Sequence, residues 1–485
     1  MIVRDEEQFL AEALESVTGT VDEICIVDTG SRDSTLDIAR QFGAKIVEVA
    51  WEDDFAKARN AALAMAAKRW IFVLDADERL SPRSREILAS VRDRPAHLTG
   101  LWVRCFNFTG DYKGTGAMSN ALVRFFPNHE RIRYRNRIHE FVALDGDESG
   151  MPALLSPIEI VHLGYAQDVM RERNKHERNR RLAVEALRAN PNDAFHWYNL
   201  GTSAMLAEDS SEAVSAFERM RELNLETLRK RGDGRVQAFV PNGMSLLANL
   251  YLAQGESSRA EMLMREVLTY APTYADAHFL LGKALVAQRR FIEAREAYVA
   301  AIDDGKDVHT HPSVDNEIPL WKAHSEIGAT LMEEGGYALA LAWFDFALSA
   351  RPKVQLVRLN RAKALERLGR FDEAEAAFAG VWEDERDELS ANEYVNYMLR
   401  RGEHRRAVKF IDDFAEQLPA QTRLIMYGSA AAIASRSGLC GMERYLELAL
   451  HVEGVDDPEP RLRALLKHLG ELPPLELLER KKGPA

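Results

Sequence analysis

Small residues recur in the second half of the chain at a spacing of 34 positions, as between Ala248 and Gly282 and between Gly328 and Ala362. Each lies in an apolar helical stretch, and an aromatic residue can follow it, as Phe344 follows Gly328. A unit of this length is a pair of helices that buries its apolar face only when the next pair stacks on it. The spacing therefore predicts an all-α array of stacked helix pairs.

The pattern matches the tetratricopeptide repeat (TPR), in which small and aromatic residues hold fixed places in a helix pair. The clearest copies hold Trp197, Leu200, Gly201, Ala213 and Phe217; Leu281, Gly282, Ala294 and Tyr298; and Ile327, Gly328, Ala340, Phe344 and Pro352. Weaker copies hold Ala248, Tyr251, Ala260 and Pro272, then Ala362, Ala374 and Phe378, and a degenerate copy surrounds Ala407. We expect a connecting helix over 166–190, about six repeats over 191–420 and a C-terminal helical cap over 421–485.

Two intervals between the repeats are longer than 34 residues. Gly201 and Ala248 lie 47 positions apart, and Gly282 and Gly328 lie 46 apart. The inserts that account for the difference are residues 225–242 and 303–321. Both follow the second helix of a repeat, so we expect them on one edge of the array, either as binding loops or as passive surface loops.

The first 165 residues show a different pattern, in which short apolar runs alternate with helical stretches. The runs that predict strands are residues 24–27, 44–49, 70–74, 101–106 and 121–126. Alternation of helices with buried strands is typical of a mostly parallel sheet. We therefore predict an α/β domain over residues 1–165, with no strands after it.

Composition narrows the functional classes. Hydrophobic residues make up 46% and charged residues 29% of the chain, as in ordinary globular proteins. The formal net charge of −13 argues against a nucleic-acid binder. No apolar run is long enough for a transmembrane segment, and the first residues lack a signal peptide's apolar stretch. Cys25, Cys105 and Cys440 are too dispersed for a disulfide framework, so we expect a cytoplasmic protein.

The strongest functional signal is a pair of aspartates directly after an apolar strand, in WIFVLDADERL. The strand delivers Asp75 and Asp77 to its carboxyl end, where open α/β sheets bind ligands. Two carboxylates one residue apart can hold a hard divalent ion together with diphosphate oxygens. Such an ion neutralises the charge that grows on a departing nucleoside diphosphate. The pair therefore predicts a metal-assisted diphosphate site.

Two further motifs, IVDTGSRDST and DDFAKARNAAL, precede these aspartates. With them, the first 165 residues resemble the family 2 glycosyltransferases of GT-A fold, specifically the bacterial group with appended TPRs. The resemblance implies a Rossmann-like α/β domain followed by a TPR solenoid. It also implies inverting transfer of a hexosyl or N-acetylhexosaminyl group from a nucleoside-diphosphate sugar, with a UDP-sugar as first choice and Mn²⁺ or Mg²⁺ as the ion.

The same resemblance assigns residues on the donor side. Asp28, in VDTGS, would contact the nucleotide base, and Asp75 would contribute to nucleotide binding as well as to the metal. Arg59 and Asn60 would lie near the nucleotide and the donor sugar; the alternative is that both are polar residues of a helix surface. Gly116, in YKGTGAMSN, resembles the glycine loop over the donor together with Gly114, although two glycines alone indicate only a turn.

The catalytic and metal residues are assigned in the same way. Glu140, in RIHEFV, is the candidate catalytic base, and its neighbour His139 is a candidate acceptor contact. His162, in VHLGY, would complete the metal site with Asp75 and Asp77, because imidazole beside two carboxylates is ordinary coordination for Mn²⁺. The alternative for His162 is a hydrogen-bonded structural histidine.

Two other polar patterns stand near these motifs or in the inserts. A row of arginines at alternate positions would face a diphosphate or an acidic acceptor, or would be solvated edge charges that prevent aggregation. Its members are Arg131, Arg133, Arg135 and Arg137. His309 and His311 in the second insert form a possible metal pair, although such loop pairs are usually incidental.

The acceptor is the open question. TPR solenoids usually hold extended peptides, so a peptide or protein is the first expectation, as for the bacterial enzymes that glycosylate cysteine or serine in bacteriocins. One alternative is a cell-surface glycan or lipid-linked acceptor, with the repeats used for homodimerisation or docking. Another is a non-catalytic adaptor that senses nucleotide sugars. Relatives carry apolar residues before the MIVRDEE stretch, so the first strand is expected to be short, or the native start to lie upstream.

Overall fold

The computed structural model describes most of the chain. The described residues are 1–92, 97–107, 118–137, 140–145, 151–163, 169–231, 237, 239–306 and 313–468. The chain divides into two compact units, residues 1–323 and 324–485. The division falls within the repeats, so the first repeats belong to the same unit as the α/β part. The domain limits expected from the sequence, near residues 165, 190 and 420, remain predictions.

The α/β part of the first unit contains ten strands and four helices among its described residues. The strands are β1 (Ile2–Val3), β2 (Cys25–Asp28), β3 (Lys45–Glu48), β4 (Trp70–Phe72), β5 (Glu78–Leu80), β6 (Gly100–Asn107), β7 (Met118–Pro127), β8 (Ile132–Arg135), β9 (Phe141–Leu144) and β10 (Ala153–His162). The helices are α1 (Leu10–Val17), α2 (Thr35–Gln41), α3 (Phe55–Met65) and α4 (Pro82–Arg92). Every run that predicted a strand contains one.

The repeats after this part are helical, as predicted. In the first unit the helices are α5 (Val169–Ala189), α6 (Ala194–Leu206), α7 (Ser210–Arg231), α8 (Phe239–Ala253), α9 (Ser257–Tyr270), α10 (Ala275–Ala287) and α11 (Phe291–Asp304). Helix α12 (Ala323–Glu333) begins at the division between the units. The second unit adds α13 (Tyr337–Ala350), α14 (Gln355–Arg367), α15 (Phe371–Glu385), α16 (Glu388–Arg400), α17 (His404–Phe414), α18 (Ala420–Ser437), α19 (Met442–Leu450) and α20 (Pro458–His468). The predicted fold class, an α/β domain followed by helical repeats, is confirmed.

The sheets are mixed rather than mostly parallel. Strands β1, β2 and β3 form a parallel sheet in that order, and β8 pairs only with β9 among the described strands. In the larger sheet β6 runs parallel to β10, but β4 and β6 are antiparallel to β7, as β5 is to β10. The apolar runs identified the strands correctly. They could not give strand direction, because direction depends on pairing partners that are distant in sequence.

The first strand is short, as expected. Ile2 and Val3 pair with the end of β2, and the amino group of Met1 donates to the carbonyl of Cys25 at 2.9 Å. Beyond this pairing, a cavity of about 360 Å³ lies between the start of β2 and β4. Its lining is largely apolar and includes Leu14 and Trp70.

The small residues of the repeats are explained by close packing between the two helices of a pair. A Cβ built on Gly201 would lie 2.7 Å from a ring carbon of Phe217, and one on Gly328 would lie 2.6 Å from Phe344. Both aromatic rings are fully buried. A side chain at either glycine would have to displace a ring in a densely packed core. The spacing of the small residues thus reflects the close contact between the two helices of each pair.

Replacing Gly328 with leucine should therefore destabilise the second unit by about 1–3 kcal/mol, the usual cost of overpacking a core. Gly380→Ala is the matched control, because Gly380 is also helical and its added Cβ would have Arg358 as its nearest neighbour, at 3.9 Å. Alanine there should be neutral or stabilise by up to about 1 kcal/mol through helix propensity. Urea unfolding of the three proteins measures both effects. Equal stability of Gly328→Leu and the unchanged protein would contradict this account of the spacing.

The prediction that no strand follows residue 165 is wrong. The second insert contains β11 (Ser313–Asp315), which pairs antiparallel with residues 118–120 of β7, and a π-helical turn over Ile318–Lys322. Part of this insert is therefore a strand of the α/β sheet and not a free loop. In the first insert, α7 continues to Arg231 and α8 begins at Phe239. Sequence patterns missed β11 because three residues carry no readable alternation.

Candidate active site

The two aspartates lie where the sequence predicts, in the turn between β4 and β5. The ladder of β4 continues one residue past Phe72, since the Val73 amide donates to the carbonyl of Arg124 at 2.7 Å. The chain then leaves the sheet, so Asp75 and Asp77 emerge at the carboxyl end of the strand. Their side chains are 27% and 29% exposed, which leaves both accessible to a ligand.

Asp75 is held between two arginines. Arg59 Nη2 lies 2.8 Å from Asp75 Oδ1, and Arg124 Nη2 lies 3.0 Å from Asp75 Oδ2. Both arginine side chains are nearly buried, at 8% and 10% exposure. Burial alone would raise the pKa of Asp75, but the charges of Arg124 and Arg59 hold it well below its usual range. Asp75 is thus a fixed anion in a positively charged frame.

Glu78 is the third carboxylate-bearing residue of interest beside this turn, and it was not identified from the sequence. Its Oε2 accepts from the Asp75 amide at 2.8 Å, and its Oε1 pairs with Arg124 Nη2 at 3.0 Å. Its side chain is only 4% exposed, and this burial raises its pKa although Arg124 opposes the shift. The carboxylate of Glu78 therefore fixes both the turn that carries Asp75 and the arginine beside it.

Arg124 also escaped the sequence analysis, and its position depends on a local irregularity of the sheet. Leu101 of β6 pairs with Phe125, but the next residue, Trp102, pairs with Val123, so Arg124 is the extra residue of a β-bulge. Bulges re-aim side chains and are common beside active sites. A signal was present: a charged residue inside the apolar run ALVRFF is expected to be buried with a partner. The partner itself could not be read from the sequence.

Asp77 and His162 are brought together, as the resemblance implies. His162 Nε2 lies 3.0 Å from Asp77 Oδ2, and the Leu163 amide donates to the Asp77 carbonyl at 2.8 Å. Burial would lower the pKa of His162, but its hydrogen bond to Asp77 and the charge of that carboxylate raise it. The pairing of β5 with β10 sets this contact, because His162 lies opposite Glu78.

The donor set suits a hard divalent ion, although within the described residues no three such side chains already converge. Asp77 and His162 are close enough for one ion to contact both side chains. Asp75 instead faces its two arginines. Oxygen and imidazole donors are those that Mn²⁺ accepts in proteins. The residues present therefore fit such an ion at Asp77 and His162, with Asp75 beside them.

Glu140 is joined to the same cluster through Arg59. Its Oε1 lies 3.0 Å from Arg59 Nε, and its side chain is 14% exposed. The Arg59 guanidinium also lies 5.8 Å from the ring of Tyr134. Within the described residues, Arg59 Nη1 is buried without a hydrogen-bond partner. Arg59 thus connects the candidate base to Asp75.

Asp28 lies at the carboxyl end of β2, with its carboxylate turned into the following loop. The amides of Gly30 and Ser31 donate to Asp28 Oδ2 at 2.9 and 3.0 Å, and the Ser31 hydroxyl contacts Oδ1. The Asp5 amide donates in turn to the Ser31 hydroxyl at 3.0 Å. Asp28 therefore shapes the loops after β1 and β2, and its side chain is only 1% exposed.

Asn60 takes a different place from its neighbour Arg59. Its Nδ2 donates to the Tyr134 carbonyl at 3.0 Å, and its Oδ1 accepts from the Tyr134 amide at 2.8 Å. These two bonds attach α3 to β8. They leave Asn60 out of the hydrogen-bonded cluster around Asp75.

Of the arginine row, Arg133 and Arg135 lie on the exposed face of β8, opposite the buried side chains of Ile132 and Tyr134. Tyr134 faces Arg59, so these two arginines point away from the cluster. Arg131 and Arg137 lie just outside the strand. Arg135 pairs with Asp145 at 3.3 Å. The other predicted site residues, Gly114, Gly116, His139, His309 and His311, lie outside the described residues.

Comparisons with known proteins match both halves of the chain. Residues 1–147 match the family model described as Glycosyl transferase family 2, and residues 245–307 and 331–392 match models described as Tetratricopeptide repeat. None of the described helices is both long enough and apolar enough to cross a bilayer.

Three relatives show how far the similarity extends. A TPR repeat-containing protein of Synechococcus elongatus is 38% identical over 207 residues, 41% of this chain and 50% of that protein. The SPbeta prophage-derived glycosyltransferase SunS of Bacillus subtilis is 25% identical over 288 residues, 59% of this chain and 66% of that protein. An uncharacterised glycosyltransferase of Rickettsia typhi is 36% identical over 155 residues, 30% of this chain and 52% of that protein. The chain thus spans between half and two thirds of the length of these relatives.

Among solved structures, a tetratricopeptide repeat protein from Parabacteroides merdae aligns with 56% of this chain and 97% of its own. The identity is 15% and the TM-score 0.40.

Proposed function

Because residues 1–147 form a family 2 glycosyl transferase domain and tetratricopeptide repeats come after it, we propose that the protein is an inverting glycosyltransferase with a nucleoside-diphosphate sugar as donor. One observation carries the proposal. Arg59 bonds both to Asp75, which follows the strand at the diphosphate end of such sites, and to Glu140, the candidate base. A single displacement needs a base and a leaving-group site held in fixed positions, and this guanidinium contacts the residues proposed for both.

In the proposed reaction Glu140 accepts the proton of the acceptor nucleophile. The nucleophile forms its bond to the anomeric carbon as the bond from that carbon to the diphosphate oxygen breaks, which inverts the configuration. Arg59 orients Glu140 through the ion pair between its Nε and Glu140 Oε1. A divalent ion bound by Asp77 and His162, with Asp75 beside them, would supply positive charge to the departing diphosphate. Mn²⁺ or Mg²⁺ and a UDP-sugar are the proposed partners.

The remaining donor-side roles belong to the same proposal. Asp28 shapes the loops after β1 and β2, where the resemblance places the nucleotide base. Asn60 acts indirectly, because it fixes β8 and with it Tyr134 beneath Arg59. The proposed acceptor is a peptide or protein held by the repeats. The repeats support this choice, because stacked helical repeats commonly form extended binding surfaces. The similarity to SunS covers 59% of the chain and so extends past the transferase domain into these repeats.

A two-step experiment tests the proposal on the full chain. A thermal-shift screen of nucleotide sugars with Mn²⁺ identifies the donor, and mass spectrometry then detects sugar transferred from it to a library of synthetic peptides. We expect a nucleotide-specific, Mn²⁺-dependent shift and peptides heavier by one sugar. Transfer to glycans or lipid-linked sugars but not to peptides would reject the peptide acceptor. Donor binding without turnover on any acceptor, or on water, would favour a sensing adaptor.

Substitution of Glu140 separates catalysis from binding. Glu140→Gln should lower transfer at least about 100-fold, because the amide cannot accept a proton, and leave the Kd for UDP with Mn²⁺ within about twofold. Glu130→Gln, at an exposed position near β8, is the matched control and should change neither quantity. His162→Ala should weaken Mn²⁺-dependent UDP binding itself. If calorimetry and turnover show Glu140→Gln and His162→Ala failing alike, the assigned roles are wrong.

A further inference from the structure

Strand β7 has two edges, and three other strands share them. Strand β6 pairs along one edge, over residues 118–125. The other edge is divided: β4 pairs with residues 125–127 and β11, from the second repeat insert, pairs with residues 118–120. The strand that delivers the reactive aspartates and the strand that comes from the repeats therefore lie on the same edge of the same strand.

Among the described strands, none pairs with the part of this edge that lies between β4 and β11. The β4 ladder reaches Arg124, and β11 begins opposite Asn120. Arg124 and Asn120 are four residue steps apart, about 14 Å at roughly 3.4 Å per step of antiparallel strand. Asp75 leaves the sheet at the Arg124 end of this part of the edge, to which it is tied at 3.0 Å. The part of the β7 edge beside Asp75 thus ends, on the side away from β4, at β11.

A buried carboxylate on the repeats holds β11 in place. Asp276, in the first turn of α10 and 8% exposed, accepts from the Asp315 amide at 3.1 and 3.2 Å. The Asp315 carboxylate in turn binds Lys322 Nζ at 2.5 Å and accepts from the Glu317 amide at 3.0 Å. Burial raises the pKa of Asp276 to about 7, so the fold keeps this carboxyl group although its ionisation is opposed.

Strand β11 is also fixed to the sheet by side chains. The Ser119 hydroxyl donates to Asn316 Oδ1 at 3.0 Å, and Ser119 itself is 1% exposed. This bond joins the turn after β11 to the second residue of β7. The strand and its turn are therefore held on one side by the sheet and on the other by α10.

We propose that Asp276 is a positioning residue of the transferase: by bracing β11 on β7, it sets the acceptor side of the cleft at a fixed distance from Asp75. The inference rests on the proposed function. It assigns to the repeats of the first unit a part in the reaction site itself, as the wall against which the acceptor is held. A peptide bound by these repeats would then present its nucleophile at one defined distance from the cluster around Asp75.

Edge protection is the competing explanation, because a paired β7 edge cannot recruit another strand. The two explanations predict different losses of function when Asp276 no longer holds β11 on β7. Loss of edge protection alone changes exchange and aggregation. Loss of an acceptor wall lowers transfer to an acceptor while donor hydrolysis by water continues, since water needs no wall.

Three substitutions in the full chain test whether Asp276 holds β11 on β7. Asp276→Ala removes the acceptor of the Asp315 amide bond, and Asp276→Asn keeps an oxygen there without the charge. Val314→Pro removes the amide of the middle residue of β11. Successive amides of a strand point to opposite sides, and the Asp315 amide faces Asp276, so the Val314 amide faces β7. Asp303→Ala, at an exposed acid of the same repeats, is the matched control.

The readouts are hydrogen exchange of the β7 amides and the kinetics of the donor found by thermal shift, with water and with the synthetic peptide library. We expect Asp276→Ala and Val314→Pro to raise exchange of the Ser119 amide, which faces β11, at least about 10-fold and to lower kcat/KM for peptides at least about 10-fold. Hydrolysis by water should stay within about twofold. Asp276→Asn should restore both quantities, and Asp303→Ala should change neither.

Raised exchange with unchanged peptide kinetics would overturn the positioning role and leave β11 as an edge cap. Unchanged exchange in both variants would contradict the role of Asp276 in holding β11 on β7. A wild-type protein that transfers sugar to no acceptor would reject the proposed function and the positioning role with it, whereas the exchange result would still show whether Asp276 holds β11.

Discussion

Asp77→Asn should lower Mn²⁺-dependent donor hydrolysis at least about 100-fold, within the range lost when a group that stabilises transition-state charge is removed. Asparagine has nearly the size of aspartate and keeps an oxygen at hydrogen-bond distance from His162, so the fold should persist. The side chain is 29% exposed, and the change leaves no buried group without a partner. Hydrolysis of the donor is measured with and without Mn²⁺, together with the unfolding temperature.

The control for this change is Asp37→Asn, on α2, whose side chain is 74% exposed. It carries the same chemical change and should leave hydrolysis and unfolding temperature as they are. Hydrolysis near the normal rate in Asp77→Asn would contradict the metal-site assignment. A large fall in unfolding temperature would instead mean that Asp77 and His162 form a structural pair.

Arg124→Met should cost about 3–5 kcal/mol of unfolding free energy, because it removes one partner of a buried ionic cluster and keeps most of the apolar volume. Without this guanidinium, Glu78 loses its arginine partner and Asp75 keeps only Arg59. Arg131→Met, at an exposed position beside β8, is the matched control and should change stability by less than about 0.5 kcal/mol. Urea unfolding of both variants measures the difference.

The loss in Arg124→Met should depend on pH in a defined direction. The charge of Arg124 lowers the pKa of both Asp75 and Glu78, so its removal raises both values in the folded state. Burial already raises the pKa of Glu78, so without Arg124 this carboxyl group keeps a proton that the unfolded chain loses above about pH 4, and stability falls as pH rises. The deficit should be larger at pH 8 than at pH 5. Adding Glu78→Gln removes one of the two carboxylates and should restore part of the loss; no restoration would contradict the coupling.

The sequence by itself determined the repeats and the place of the aspartates. Helix pairs are local structures, and the contact of Gly328 with Phe344 joins residues of one pair. The spacing of the repeats can therefore be read directly from the sequence. The aspartates follow their strand directly, so an apolar run and two carboxylates located Asp75 and Asp77 at its end. The contact of Asp77 with His162 joins distant residues, and only the resemblance to a family supplied it.

Only the tertiary structure decided how the strands pair and which groups surround Asp75. The bulge that turns Arg124 toward Asp75 arises from the register between β6 and β7, which no local pattern records. The place of β11 rests on a pairing between residues such as Ser119 and Asn316, which are 197 positions apart. Hydrophobic periodicity reports whether a segment has a buried face, but it does not report which distant segment covers that face. For that reason the sequence located Asp75 and Asp77, whereas the arginines around Asp75 and the place of β11 became visible only in the folded chain.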